Sequence, residues 1–204
     1  MTESTELART RRSLHGVAEL LLAGPQFRSS GRIELRVVGE GFATIAEPAL
    51  TVDGPRLVTP SGAVDLPGRT YREVAAEIGV EAGDLADVYS DGPGVRPDET
   101  IELGAGALST LLRAFAAGDR ALRAFAPGET PVLWPEHFDV AITVAEVNYG
   151  VSPGDTFLSE PYAYVGPHEP RRGEFWNAPF GAAHPVREVP DLEAFFREGQ
   201  ALAG

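Results

Sequence analysis

Five short apolar runs packed between residues 32 and 66 constrain the fold more than any other feature of this chain. Ile33, Leu35 and Val37 alternate with Arg32, Glu34 and Arg36, the period of two that a strand with one buried face requires. Gly39-Glu40-Gly41 interrupts it. Further runs follow at 42–46, 49–52, 55–59 and 62–66, separated by Glu47-Pro48, Asp53-Gly54-Pro55 and Ser61-Gly62. Asp53-Gly54 carries the residue types that a tight hairpin turn demands. Parallel neighbours need a crossover of about a dozen residues or more, so strands this closely spaced must pair antiparallel, as a meander.

Helical periodicity flanks this region. Leu7, Leu14, Val17, Ala18 and Leu21 recur at helical spacing over residues 5–23, and Gly24-Pro25 is expected to stop the helix. Thr10-Arg11-Arg12-Ser13-Leu14 has the look of a twin-arginine export signal. However, the apolar run after it is short and broken by Glu19, so an amphipathic helix is the better reading. His15 stands between Arg11 and Glu19 on an i, i+4 stripe away from the apolar face and reads as a surface residue. Thr70-Tyr71-Arg72-Glu73 has the spacing of a capping box at the start of a short helix ending before Gly79. The clearest helix spans residues 107–125, with Leu108, Leu111, Leu112, Phe115, Leu122 and Phe125 on one face and Arg113, Arg120 and Arg123 away from it. A last helix is expected over 191–202. Residues 80–104 are acidic and broken by Gly and Pro, and read as a surface loop. The expectation is an α+β fold in a single domain, 1–204. Its antiparallel sheet, a meander and partly sandwich-like, packs against two main amphipathic helices.

Composition removes whole classes of chemistry. The chain has no cysteine and no lysine, since all 17 basic residues are Arg. Thiolate nucleophiles, cysteine-held metals, lysine Schiff bases and lysine phosphate loops are therefore excluded, and so is any cofactor bound covalently through either residue. A formal charge of −13 argues against nucleic-acid partners. The charge is uneven: residues 1–36 hold six Arg against four acids, and residues 65–102 hold ten acids against three Arg. No window approaches the ~18 apolar residues of a membrane span, so no membrane partner is expected and a cytoplasmic location is.

Residues 133–185 hold both tryptophans, three of the four histidines and three of the five tyrosines, interleaved with Gly and Pro. Aromatic rings, turns and a few ionisable groups in one segment are the makings of a polar pocket. Phe138, Val140, Ile142 and Val144 alternate, so 137–144 reads as a strand whose other face carries His137, Asp139, Ala141 and Thr143. On that reading His137 and Asp139 project together. They could form a general base with its orienting carboxylate, or two ligands of a divalent metal whose third is unassigned. Ser152-Pro153-Gly154-Asp155 has the Pro-Gly pair of a type II turn, joining a strand near 147–149 to one near 162–165, with Asp155 capping its own turn. Trp134, Glu136, Asn148, Tyr149, Glu160, Tyr162, Tyr164, Trp176 and Asn177 are the candidate binding residues. Tyr162 and Tyr164, on one face of a strand, form a stacking platform.

The elements Trp134-Pro135-Glu136-His137-Phe138-Asp139, Asn148-Tyr149-Gly150-Val151-Ser152-Pro153-Gly154-Asp155 and Glu160-Pro161-Tyr162-Ala163-Tyr164-Val165 resemble a pattern of uncharacterised bacterial proteins. Those proteins carry W-P-x-H-F-D, N-x-G-x-x-P-G-D and E-P-Y-x-Y-V in this order. The resemblance covers residues 133–166 and implies kinship with a family to which no reaction is assigned. Three functions follow from the residues. The first is a small polar or aromatic ligand bound in a pocket rimmed by 133–180. The second is a hydrolase or isomerase using the His-Asp pair. The third is a structural or interaction protein with no pocket chemistry.

Overall fold

A computed structural model describes residues 3–204, with side chains from residue 5 onward. Within these residues ten strands join in one antiparallel sheet made of two meanders. β1 (Leu35–Val38), β2 (Gly41–Thr44), β3 (Thr51–Asp53), β4 (Arg56–Thr59) and β5 (Gly62–Asp65) form the first meander. β6 (Val132–Trp134), β7 (Asp139–Val144), β8 (Val147–Ser152), β9 (Tyr162–Pro167) and β10 (Ala182–Pro185) form the second. The two meet where β1 pairs with β6, at Leu35 opposite Leu133. As the spacing requires, each meander consists of sequential neighbours, and Asp53 pairs with Arg56 around the Gly54-Pro55 turn.

One hydrophobic cluster runs through both meanders and the helices. α4 (Ala105–Phe125) buries the six apolar residues that its periodicity marks out, and lies against β7 and β8. α5 (Leu192–Ala203), capped by the Asp191 carboxylate on the Ala194 N–H, lies against β9. α3 (Tyr71–Ile78) begins with the full reciprocal Thr70–Glu73 capping box and ends at left-handed Gly79.

The N-terminal helix departs from the expected stop at Gly24-Pro25. α1 (Glu3–Gly16) passes into a π-helical stretch (Val17–Ala23), and α2 (Gly24–Ser30) carries on to left-handed Gly31. Pro25 has no N–H and its ring crowds the carbonyl four residues back, which would break a regular α-helix. The π stretch absorbs this by widening one turn: Gly24 N–H donates to Glu19 O, five residues back. That shift frees the Leu20 carbonyl, which accepts from Gly83 N–H at 3.2 Å. The helix is thereby tied to the acidic 80–104 segment. The same segment is held by Arg12 on Gly94 O (2.9 Å) and Glu99 (2.7 Å), by Arg28 on Glu81 O, and by buried Leu85, Val95 and Ile101.

Candidate functional site

Alternation along β7, β8 and β9 divides the second meander into two faces. Val140, Ile142, Tyr149, Val151 and Val165 turn toward the helices. Tyr149 is 1% exposed and packs on Phe125 (4.7 Å between ring centroids) and Phe196, so it is a core residue rather than a ligand contact. The opposite face carries Asp139 and Ala141, then Asn148, Gly150 and Ser152, then Tyr162 and Tyr164. Asp139, Asn148, Ser152, Tyr162 and Tyr164 of this face line a cavity of about 1110 Å³. α1 forms another wall through Arg11, Arg12 and His15, and Asp91 and Phe180 come from flanking loops.

The pairing of His137 with Asp139 is not formed. Residues 135–138 make a turn rather than the start of β7, and Phe138 has φ +55°, the left-handed region. That conformation breaks the alternation, so His137 leaves the face that Asp139 occupies. The His137 side chain is 59% exposed, and the carboxylate beside it is Glu136, at 4.0 Å. The Phe138 ring is buried. It stacks on His15 (5.0 Å, 7° between planes) and meets Phe42 and Phe115 edge-on at 5.8 and 5.1 Å. A bulky residue held at positive φ costs on the order of 1–3 kcal/mol, which this packing offsets.

Asp139 is 7% exposed. Its Oδ2 accepts from the Tyr164 hydroxyl, and its Oδ1 is buried with no hydrogen-bond partner. Tyr164 reaches it from two strands away because the strand between presents Gly150, where a Cβ would sit 2.6 Å from the tyrosine oxygen. Burial raises the Asp139 carboxyl above the ordinary aspartate value, against the lowering effect of the Tyr164 hydrogen bond. Burial and the Asp139 charge together push the Tyr164 phenol well up, so it stays protonated and donates.

Tyr162 lies beside Tyr164 (6.3 Å between centroids) and donates to Asp155 Oδ2 at 2.6 Å. Asp155 Oδ1 accepts from Phe157 and Leu158 N–H, and Asp155 N–H donates to Leu158 O, so the aspartate caps the bend that follows it and the expected 152–155 turn is not formed. Phe180 closes the aromatic patch at 6.4–6.5 Å from both tyrosines. Asn148 accepts from Thr143 at 2.8 Å and lines the wall beside His168. Glu136 also lines the cavity.

Four other candidates lie elsewhere. Trp134, on β6, is not part of the cavity wall. Glu160 is bound by both nitrogens of an Arg187 fork at 2.7 and 3.0 Å, which occupies its carboxylate. Trp176 packs on Phe175, which in turn meets α5 through Phe195. Asn177 spends its amide on both backbone groups of Ala183, pinning the loop to β10.

Several residues in and beside the site depart from what their helical spacing implies. His15 is not a surface residue: its Nε2–H donates to Pro135 O at 2.6 Å, and burial lowers its pKa to about 4, with His137 and Arg11 acting in the same direction. Half-buried Arg11 donates to Ser159 O at 3.1 Å. Glu19, 4% exposed, accepts from the Tyr89 hydroxyl at 2.8 Å, and burial raises its carboxyl. The signal available was the Arg11–His15–Glu19 stripe together with the one acid that interrupts an apolar helix.

Compared with known proteins, the chain matches no family model, no curated protein and no solved structure. The resemblance of residues 133–166 to a family of unassigned reaction agrees with that outcome and adds nothing to the chemistry. Function rests on the site itself. Among the described residues, no helix is long and apolar enough to cross a membrane.

Proposed function

We propose that this protein binds a small polar molecule with a flat or aromatic portion in the cavity over β7–β9. The observation that carries the reading is the unpartnered Asp139 Oδ1 in the cavity wall. A buried carboxylate oxygen without a partner costs about 1–3 kcal/mol or more, and native proteins rarely retain one without a use for it. A ligand N–H or O–H would satisfy it once the carboxyl turns toward the cavity. Tyr162 and Phe180 offer ring faces and edges next to it, the combination of one fixed polar anchor and an apolar body that small-molecule sites share. The −13 charge argues against nucleic-acid partners.

A second reading is favoured by the same pair. A carboxyl raised by burial and hydrogen-bonded to a phenol has the chemistry of a general acid or base. Asp139 and Tyr164 would then carry the proton transfer of a hydrolase or isomerase, in place of the exposed His137.

The test is a thermal-shift screen with amides, amines and alcohols attached to an aromatic ring, followed by calorimetry of the hits on Asp139→Ala and Tyr162→Ala. Hits should lose at least tenfold in affinity on Asp139→Ala. Equal affinity for both variants and wild type, or a library without a hit, would count against the reading.

A further inference from the structure

The cavity mouth carries a second constellation that the ligand reading does not use. Asp91, Glu136 and His137 each offer one ligand atom, and these atoms lie within 4.8 Å of one another. The geometry points to a divalent transition-metal site, of the zinc or manganese type, formed by Asp91, Glu136 and His137 and closing the acidic loop onto the β6–β7 turn.

Three features support it. First, the two carboxylates would repel across a few ångströms, and a dication with a neutral imidazole cancels that charge. Ligands at about 2.1 Å from a tetrahedral ion stand about 3.4 Å apart, so exposed side chains need to draw in by only about 1 Å. The imidazole nitrogen favours zinc over the all-oxygen cages of calcium and magnesium, and the two carboxylates are ligands that manganese also takes.

Second, the loop bearing Asp91 is delivered to this place by buried structure. Glu19, inside the π stretch, accepts from Tyr89, and Gly92 comes so close that a Cβ there would sit 2.5 Å from Glu19 Oε2. Asp91 lies between these two anchors and is set at the cavity rim. On the other side, the left-handed Phe138 turns Glu136 and His137 outward.

Third, the wall of the same cavity holds the Asp139 Oδ1 that is buried without a partner, a sign that this cavity takes a ligand. Asp139 is not a member of the triad, because Tyr164 and the sheet hold it in the wall. Three protein ligands leave open coordination positions on an ion at the rim, facing the space above Asp139. The inference shares the Asp139 observation with the small-molecule reading, but the ion and the ligand are held by different residues, so either can fail alone.

The experiment titrates the metal-stripped protein with zinc and, separately, with manganese, reading calorimetric stoichiometry and the melting temperature. Wild type should take up one ion and melt higher. Asp91→Asn and His137→Ala, both at exposed positions, should each weaken binding by roughly tenfold or more, since even supporting residues around metal ligands cost that much. His168→Ala and Asp139→Asn should bind the ion like wild type. One-to-one binding that survives both Asp91→Asn and His137→Ala would overturn the assignment, as would no binding of either metal to wild type. If Asp139→Ala abolishes small-molecule binding while metal uptake persists, the two sites are separate. If metal uptake fails while small-molecule binding persists, only this inference falls.

Discussion

His15 makes the protein's stability pH-dependent in a window where few other groups titrate. Its imidazole is sandwiched between the cavity and the Phe138 ring, and its pKa falls from 6.5 to about 4 through burial, with His137 and Arg11 adding repulsion. The Pro135 carbonyl, accepting from Nε2, partly opposes the shift. The folded protein therefore holds His15 neutral, while the unfolded chain protonates it near pH 6.5. The folded pKa lies below the unfolded one, so this contribution is fully present above pH 6.5. It is lost as pH falls from 6.5 toward 4. Linkage puts the loss at about 2 kcal/mol between pH 7 and pH 5, and at about 3 kcal/mol by pH 4. Glu19 moves the other way: burial raises its carboxyl, so its share of stability is present below the unfolded value of 4.5 and is lost as pH rises. Its effect is separated by comparing wild type with His15→Gln, which keeps a planar donor for Pro135 O and removes the titration. Urea unfolding of both proteins should show the variant gaining about 2 kcal/mol on wild type between pH 7 and pH 5. A difference that stays constant across this range would refute the burial argument for His15.

Other outcomes are equally specific. Asp139→Asn should raise stability at neutral pH by about 1 kcal/mol, because the site no longer buries an acid while the amide oxygen can still accept from Tyr164, and the same change should abolish ligand binding; a lower melting temperature would contradict this. Gly150→Ala should push Tyr164 off Asp139 and cost about 1–3 kcal/mol, measured by denaturant unfolding. The β7–β8 hairpin turns at Ala145-Glu146, with φ +48° and +63°, so Glu146→Gly should stabilise by about 0.5–1 kcal/mol, and an unchanged denaturation midpoint would argue against strain there. Thr70→Ala should remove the capping box at α3 and cost about 1 kcal/mol by the same measurement.

The parts of the fold that could be read from sequence are those decided locally. The first meander, the α3 capping box and the core face of α4 each depend on residues within a few positions of one another, so period and turn chemistry suffice. The parts that were not readable depend on contacts made far along the chain. Gly24-Pro25 carries every mark of a helix end. It continues because residues 17–23 are wholly buried, so packing outweighs the missing N–H, and because Gly83 takes up the carbonyl that the π stretch frees. The strand placed at 137–144 has its apolar alternation right from Phe138 onward and its start wrong. One left-handed residue, stabilised by rings from α1, α4 and β2, moves His137 from the wall to the rim. The intended partner of Asp139 was thus two residues away in sequence, whereas its actual partner, Tyr164, is two strands away.

The stripe of Arg11, His15 and Glu19 shows how these errors belong together. On an isolated helix, three polar residues four apart, opposite an apolar face, describe a solvated side. Here the second meander and the acidic segment fold over that side, and each polar residue finds one long-range partner: Ser159 O for Arg11, Pro135 O for His15 and Tyr89 for Glu19. Each of these partners lies in a different segment that borders the cavity through neighbouring residues, so one helix sets the spacing between the β8–β9 loop, the β6–β7 turn and the acidic loop. A buried polar side chain specifies position more sharply than an apolar one, because a displaced partner leaves it unsatisfied at a cost of about 1–3 kcal/mol. The N-terminal helix therefore acts as the ruler of the site, and losing any one of the three contacts should shift one wall relative to the other two rather than unfold the sheet.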